Sequence, residues 1–128
     1  RKVWRGADEK GCTHAAAEMV DLKIDHGEVG ALLLKCWNLP EAVVEAVAYH
    51  HEPDRASPEN RCLAQTVYLA DMICTQMGIG DGGDGPAGEY MFGIWDDLGL
   101  HVDQFSEIVA KVTEEAARSD LLLNLVKK

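Results

Sequence analysis

Apolar residues recur every three to four positions along most of the chain, which is the spacing of helices that bury one face. Alternation of apolar and polar residues, the signature of a strand, never reaches a useful length, and no internal repeat is visible. The sequence therefore predicts an all-α fold. The predicted helices cover residues 3–10, 15–22, 25–36, 40–51, 57–78 and 90–98, followed by a helix from residue 103 and a leucine-rich turn at 121–125.

Local signals mark where these helices begin and end. Asp25 and Glu28 have the spacing of a capping box, in which side chains satisfy free amides at a helix start. Pro40 suits a first helical turn. The many glycines between Gly78 and Gly88 predict a loop, because glycine is costly inside a helix. Neither a phosphate-binding P-loop nor an EF-hand pattern fits this loop, which indicates a plain surface connection.

Each helix carries a stripe of side chains that we expect to face the core. These stripes read Val29, Leu32, Leu33 and Cys36, then Leu63, Ala64, Val67, Ala70, Asp71 and Cys74, and finally Phe105, Ile108, Val109 and Val112. Asp71 is the exception to their apolar character. A carboxylate in a core costs several kcal/mol unless it is paired, hydrogen-bonded or bound to a metal. Asp71 is therefore a candidate functional residue.

Three histidines occupy similarly unusual positions. His51 follows Val47 by four residues, on the face that its predicted helix turns to the core. His50 lies at a slightly different angle, so the pair straddles the edge of that face. His26 falls in the first turn of its helix, where the helix dipole favours the neutral imidazole that a metal requires.

Together these residues allow two interpretations. A set of imidazoles and a carboxylate on successive helices is typical of a site for Mn, Fe or Zn. The same side chains also suit a packed polar cluster held by hydrogen bonds alone. The remaining histidines, His14 and His101, lack such a context and are expected at the surface.

Charge and composition narrow the classes of partner. The 128 residues include 12 basic and 22 acidic side chains, a formal net charge of −10, which disfavours nucleic acid and anionic membranes as partners. No apolar run approaches the ~20 residues of a membrane span.

The four cysteines form no C-x-x-C pair and suit buried thiols in a reducing cytoplasm. The chain starts at Arg1 without a signal segment, and we expect it to be part of a longer protein.

Several short motifs occur in an order that is typical of one family. They are Glu18, Asp25-His26-Gly27-Glu28-Val29-Gly30-Ala31-Leu32-Leu33, Trp37-Asn38-Leu39-Pro40, Val47-Ala48-Tyr49-His50-His51-Glu52-Pro53 and Leu63-Ala64 with Leu69-Ala70-Asp71. The series resembles the C-terminal half of an HDOD domain, a relative of the HD superfamily of metal-dependent phosphohydrolases. The likeness is close over residues 18–78 and loose beyond them.

The resemblance implies an HD-like helical bundle, formed by the later helices of a larger HDOD domain. The 128 residues are then a single helical domain or part of one. Its expected parts are a family-like core at 13–78, a glycine-rich loop at 78–88 and C-terminal helices at 89–126.

The resemblance also assigns roles to individual residues. In catalytically active relatives, including the HD-GYP cyclic-dinucleotide phosphodiesterases, histidines of these motifs and a later aspartate help to hold a metal centre. The matching residues here are His26, His50, His51 and Asp71. Structural motif positions are Glu18, Gly30 for close helix approach, Trp37 for packing of the turn, and Pro40 for the direction of the next helix.

Two readings of function follow from the resemblance. From the resemblance, the His-Asp doublet of active relatives is expected before the first residue of this sequence, and their G-Y-P segment is replaced here by residues 52–57. HDOD domains are regarded as regulatory modules that have lost the hydrolase chemistry. We therefore expect a non-catalytic signalling module whose partners are other signalling proteins, fused signalling domains or a second copy. The alternative is a metal-dependent phosphohydrolase acting on a nucleotide or cyclic dinucleotide.

Overall fold

The computed structural model describes residues 14–79 and 90–126, and within these two stretches it contains helices and turns without any strand. The all-α prediction is therefore confirmed for this part of the chain. The helices are α1 (His14–Leu22), α2 (His26–Cys36), α3 (Glu41–Ala48), α4 (Arg61–Gln76), α5 (Tyr90–Asp97) and α6 (Phe105–Val126), with single 3-10 turns at Pro53–Arg55 and Val102–Gln104. The predicted helix at 3–10 and most of the glycine-rich loop lie outside the described residues.

The start of α2 follows the capping signal in the sequence. Asp25 is the N-cap residue, with extended backbone, and its Oδ1 accepts a hydrogen bond of 2.9 Å from the backbone N–H of Glu28. This bond satisfies one of the amides that a helix start leaves unpaired. Glu28 lies in the first turn, where its charge complements the helix dipole. His26 is thereby fixed as the first residue of α2.

Small residues let α2 pack closely against α3. A Cβ atom at Gly27 would lie 2.9 Å from the backbone oxygen of Val47 and 3.1 Å from that of Ala48. At Gly30 it would lie 2.8 Å from Cγ1 of Val47. Ala31, on the same side of α2, is buried. The two helices therefore meet at a separation that only these small side chains permit.

The Gly27→Ala variant is expected to be less stable than the wild type by about 1–2 kcal/mol. Overpacking typically costs about 1–3 kcal/mol, and the better helix propensity of alanine returns up to about 1 kcal/mol. Urea unfolding measures the difference. Gly93→Ala is the matched control, because nothing lies within 4 Å of a Cβ there. That variant should gain about 0.5–1 kcal/mol from propensity alone, and equal stability changes in the two variants would contradict the packing described.

The large apolar side chains of α2 are exposed, which corrects the predicted core stripe. Its four members, together with the tryptophan that follows, are Val29, Leu32, Leu33, Cys36 and Trp37, all exposed. The reason is the small-residue face just described, since α2 turns that face to α3 and its stripe of large residues then points away. The spacing of the stripe was predicted correctly, and its environment was wrong.

The α2–α3 connection places Trp37 differently from the packing role implied by the family resemblance. The Trp37 side chain is 67% exposed, while its backbone N–H caps α2 by bonding to Leu33 O at 3.1 Å. Asn38 then adopts a left-handed φ of 55°, which ends the helix. Pro40 takes the N-cap position of α3, with φ −55° and ψ 142°, and its carbonyl accepts the first amides of the helix.

Helix α4 begins later than predicted and faces the core with a different side. The helix starts at Arg61, and Ser57, which precedes it, donates hydrogen bonds to Glu45 of α3 from its N–H at 2.9 Å and from its Oγ–H at 2.7 Å. The buried residues of α4 are Ala64, Gln65, Leu69, Met72 and Ile73. Of the predicted stripe only Ala64 is buried, so the stripe is displaced, and Asp71 is half-buried at its edge. The predicted stop at Gly78 is confirmed, since its φ is +65°.

The two hydrogen bonds that Glu45 accepts from Ser57 predict that the stability of the fold depends on pH. The two hydrogen bonds from Ser57 lower the pKa of Glu45 below its ordinary value of 4.5. Because the folded pKa is depressed, the stabilisation is present above pH 4.5 and is lost as the pH falls through the folded pKa. Urea unfolding between pH 7 and pH 3 should show a shallower acid loss in Ser57→Ala. The exposed Ser119→Ala serves as the control, and an unchanged pH profile in Ser57→Ala would contradict this assignment.

The second half of the described chain packs around Trp95. Trp95, 4% exposed, forms a buried cluster with Leu69, Met72 and Ile73 of α4. Its ring meets Phe105 edge-on with centroids 5.6 Å apart. The predicted inward residues of α6 pack against this cluster, which confirms them; they are Phe105, Ile108, Val109 and Val112.

The end of the chain departs from prediction. The expected separate turn at 121–125 is wrong, because α6 continues to Val126. No glycine or proline interrupts residues 105–126, so nothing in that segment ends the helix. Among the described residues, none of the helices is long and apolar enough to cross a membrane.

The cysteines correct another expectation. Cys36 and Cys62 are exposed and Cys74 is half-buried, so the prediction of buried thiols is wrong for the first two. Cys36 belongs to the outward stripe of α2, and Cys62 shares an exposed face of α4 with Thr66. Cys12 lies outside the described residues.

Candidate metal centre

Three histidine side chains meet where the start of α2 approaches the end of α3. The Nε2 atoms of His26 and His51 are 2.8 Å apart. The ring centroids are 3.8 Å apart for His50 and His51, 4.6 Å for His26 and His51, and 5.2 Å for His26 and His50. One ring nitrogen from each histidine lies within 4.8 Å of the other two. We call these three residues the histidine cluster.

The cluster is built from a helix start and a turn. Helix α3 ends at Ala48 with Tyr49 as its C-cap, so His50 and His51 lie in the following turn. The sequence predicted them on the helix, at the edge of its core-facing side; the helix is wrong, and both side chains are half-buried. The close approach at Gly27 carries the start of α2, and with it His26, to this turn.

The hydrogen bond of His50 fixes which ring nitrogen is available. Nδ1 of His50 lies 2.7 Å from the backbone oxygen of Val47, which can only accept, so Nδ1 carries the proton. Its Nε2 therefore has a free lone pair. Burial lowers the pKa of His50 below 6.5, more than the Val47 hydrogen bond raises it. This environment favours the neutral imidazole that binds metals.

His26 is held by a carboxylate on the opposite side of its ring. Oε2 of Glu18 lies 2.8 Å from Nδ1 of His26 and accepts a second hydrogen bond, also 2.8 Å, from the His26 backbone N–H. Nε2 of His26 points to His51. Two ring nitrogens 2.8 Å apart share one proton, which one of them donates.

The donor chemistry of the cluster fits a borderline divalent cation. Two imidazole nitrogens bound to one ion at about 2.0–2.1 Å stand roughly 3.0–3.4 Å apart, so the separation of His26 and His51 needs to change by only a few tenths of an ångström. Imidazole ligands suit Zn or Fe, whereas Mn prefers carboxylate and water oxygens. Within the described residues, these three histidines are the group whose ligand atoms converge in this way.

Asp71, the fourth ligand implied by the resemblance, stands apart from this group. It is half-buried on α4, and its negative charge acts on His50, where it raises the pKa. Its carboxylate is not among the atoms that converge within 4.8 Å. Ligation by any of the four residues stays a prediction.

Sequence reasoning missed the contact between Glu18 and His26. The resemblance marked Glu18 only as a motif position. Glu18 lies on α1, and the connection from α1 to α2 is short enough for its side chain to reach the start of α2. A carboxylate eight residues before a helix-starting histidine was the available signal. His101, predicted at the surface, is exposed, and the side chain of His14 lies outside what is described.

Comparisons with known proteins give the geometry a family context. Residues 1–53 match the family model of the HDOD domain. The fold is similar to that of an HDOD domain protein of unknown function from Geobacter sulfurreducens, with a TM-score of 0.73, 25% identity and 92% of this chain covered. It is equally similar, with a TM-score of 0.73, to a protein from Marinobacter aquaeolei VT8 whose name suggests a part in signal transduction, at 20% identity over 90% of this chain.

The match to a curated sequence is shorter. An uncharacterized protein from Treponema pallidum (strain Nichols) is 41% identical over 49 residues, which is 38% of this chain. This chain spans 10% of that protein, 44% of the Geobacter chain and 24% of the Marinobacter chain. Residues 1–53 are therefore similar to the HDOD domain, and the described residues have the helical fold of the HDOD domain protein from Geobacter sulfurreducens.

Proposed function

We propose that this chain is a non-catalytic signalling module of HDOD type, which acts through contacts with other signalling proteins or with signalling domains fused to it. The observation that carries this proposal is the outward stripe of α2. Leu32 is 58% and Leu33 49% exposed, next to Trp37 at 67%. Exposed large apolar side chains on one helix are typical of a protein–protein contact. The net charge of −10 disfavours nucleic acid as the partner of this surface.

The neighbouring helices extend this apolar character. Further exposed apolar residues on α1 and around the start of α3 are Met19, Val20, Leu22, Leu39 and Val43. Signal transduction is also the role suggested by the name of the Marinobacter protein. We place the module in the cytoplasm, where unbonded thiols such as Cys36, Cys62 and Cys74 are the usual state.

We further propose that the histidine cluster binds one divalent cation, Zn or Fe in preference to Mn. His26, His50 and His51 would hold it through their Nε2 atoms, and binding would release to solvent the proton that His26 and His51 share. Two of these rings already have Nδ1 engaged by an acceptor, Glu18 for His26 and Val47 O for His50. Histidines that bind metals usually have their second nitrogen hydrogen-bonded in this manner.

A metal-dependent phosphohydrolase is the second candidate, and the histidine cluster favours it. Three histidine ligands would leave a coordination position open, and a bound divalent ion would activate a water there for attack on phosphorus. His26 is 43% exposed, so this side of the cluster is accessible from solvent. We rank this candidate second because residues 52–57 replace the G-Y-P segment of active relatives and include a short 3-10 turn at Pro53–Arg55, with Pro53 buried.

Hydrolysis assays distinguish the two candidates. Purified protein is incubated with Zn²⁺, Fe²⁺ or Mn²⁺ and with bis(p-nitrophenyl) phosphate or a cyclic dinucleotide. The non-catalytic module should release product no faster than His51→Ala does under the same conditions. A metal-dependent rate that disappears in both His50→Ala and His51→Ala would overturn this proposal and establish the phosphohydrolase.

A further inference from the structure

We propose that Glu18 is a positioning residue for the histidine cluster, which sets the tautomer and the direction of the His26 ring. This inference rests on the cation site proposed above. The structure links Glu18 and His26 by two hydrogen bonds to the same carboxylate oxygen, one from the ring and one from the backbone, each 2.8 Å long.

The carboxylate and the imidazole differ in their exposure. The Glu18 side chain is only 14% exposed, whereas that of His26 is 43% exposed. A partly exposed ring would be free to turn about its side-chain torsions if the partner of its Nδ1 could also move. Here the backbone N–H and the ring Nδ1 of the same residue converge on one fixed acceptor. The ring is therefore held with Nε2 directed at the cluster.

The chemistry of the acceptor selects the tautomer. An ionised carboxylate only accepts, so the proton of neutral His26 resides on Nδ1 and the lone pair on Nε2. The negative charge of Glu18 also makes Nε2 a stronger electron donor. Glu18 also accepts the hydrogen bond of the backbone N–H of His26, the first residue of α2. The first amides of a helix have no partner within the helix, and the helix dipole favours a negative charge beside them.

Three substitutions separate positioning from simple anchoring of α1 to α2. Glu18→Gln keeps an oxygen that accepts both hydrogen bonds but removes the charge. Glu18→Ala removes the acceptor. Asp21→Ala is the matched control, since Asp21 is an exposed acid near the end of the same helix. A role limited to anchoring affects stability and leaves the His26 tautomer unchanged.

The experiment combines ¹⁵N NMR of the His26 ring in the metal-free protein with calorimetric titration by Zn²⁺ alone. Wild type, Glu18→Gln and Asp21→Ala should show the Nδ1–H tautomer, and Glu18→Ala a mixture of both tautomers. Zn²⁺ affinity should fall about 10- to 100-fold in Glu18→Ala, less than about tenfold in Glu18→Gln and not at all in Asp21→Ala.

The proposal is overturned if Glu18→Ala keeps both the Nδ1–H tautomer and the wild-type affinity. If Glu18→Ala does not fold, Glu18→Gln decides, because an Nε2–H tautomer in that variant contradicts the assignment and an Nδ1–H tautomer supports it. A wild type that binds no Zn²⁺ refutes the proposed cation site, and the tautomer comparison in the metal-free proteins still decides whether Glu18 sets the ring.

Discussion

The Trp95→Ala variant is expected to lose about 3–5 kcal/mol of unfolding free energy, the range for removing a large aromatic side chain from a core. Trp95 is 4% exposed and joins α4 to α6 through the cluster with Leu69, Met72 and Ile73. Removal of the indole leaves a cavity among these neighbours, and such cavities are only partly closed by relaxation. Such a loss is a large share of the stability of a small domain, and urea unfolding followed by circular dichroism measures it.

Trp37→Ala is the matched control, because it removes the same side chain from an exposed position. With Trp37 67% exposed, the expected loss is below about 0.5 kcal/mol, as for other surface substitutions. Equal losses in the two variants would contradict the packing around Trp95. A larger loss in Trp37→Ala would show that the outward face of α2 is covered in solution.

The His51→Ala variant is expected to lower Zn²⁺ affinity by about a hundredfold or more, since loss of a mere hydrogen-bond partner of a ligand already costs about 10- to 100-fold. His51 contributes one of the three ring nitrogens that converge, and its Nε2 is 2.8 Å from that of His26. Calorimetric titration of the metal-free proteins measures the change.

His101→Ala provides the control for this loss. His101 is exposed, and the bond to Gln104 involves its backbone N–H, so the substitution leaves that bond in place. Its Zn²⁺ affinity should equal that of the wild type. Equal weakening in His101→Ala and His51→Ala would mean that the ion binds elsewhere or without specificity.

Helix positions were predictable wherever a local signal acted alone. Asp25 caps α2 and Gly78 stops the chain after α4, as expected, because capping and left-handed turns depend on a few adjacent residues. The start of α4 was not predictable in this way. Ser57, predicted to open the helix, precedes it and is hydrogen-bonded to the distant Glu45 of α3, and the local sequence carries no sign of that contact.

The buried faces were less predictable than the helices. In α2 the large apolar residues form the more obvious stripe, but Gly27 and Gly30 decide which side meets α3. Helix α4 has two apolar faces, and the one that is buried against Trp95 includes Leu69 and Met72. Periodicity identifies a stripe, whereas the partner that covers it is settled by the rest of the fold.

The residues of the candidate site were predictable from the sequence, whereas their orientation was not. The motif order pointed to His26, His50 and His51, and the structure brings their ring nitrogens together. Asp71 of α4 is not part of that convergence, although its charge acts on His50. The rings are oriented by hydrogen bonds that His26 donates to Glu18 and His50 donates to the Val47 carbonyl. These arise from tertiary contact and helix termination, which residue types alone do not specify.

Anomalous diffraction from crystals of the protein grown with Zn²⁺ tests the proposed cation site most directly. We expect one anomalous peak bonded to the Nε2 atoms of His26, His50 and His51 at about 2.0–2.1 Å. Nδ1 of His26 should remain hydrogen-bonded to Glu18. The proposed cation site is contradicted if Zn²⁺ binds to other residues and the histidine cluster shows no anomalous peak. His26 and His51 would then still share their hydrogen bond.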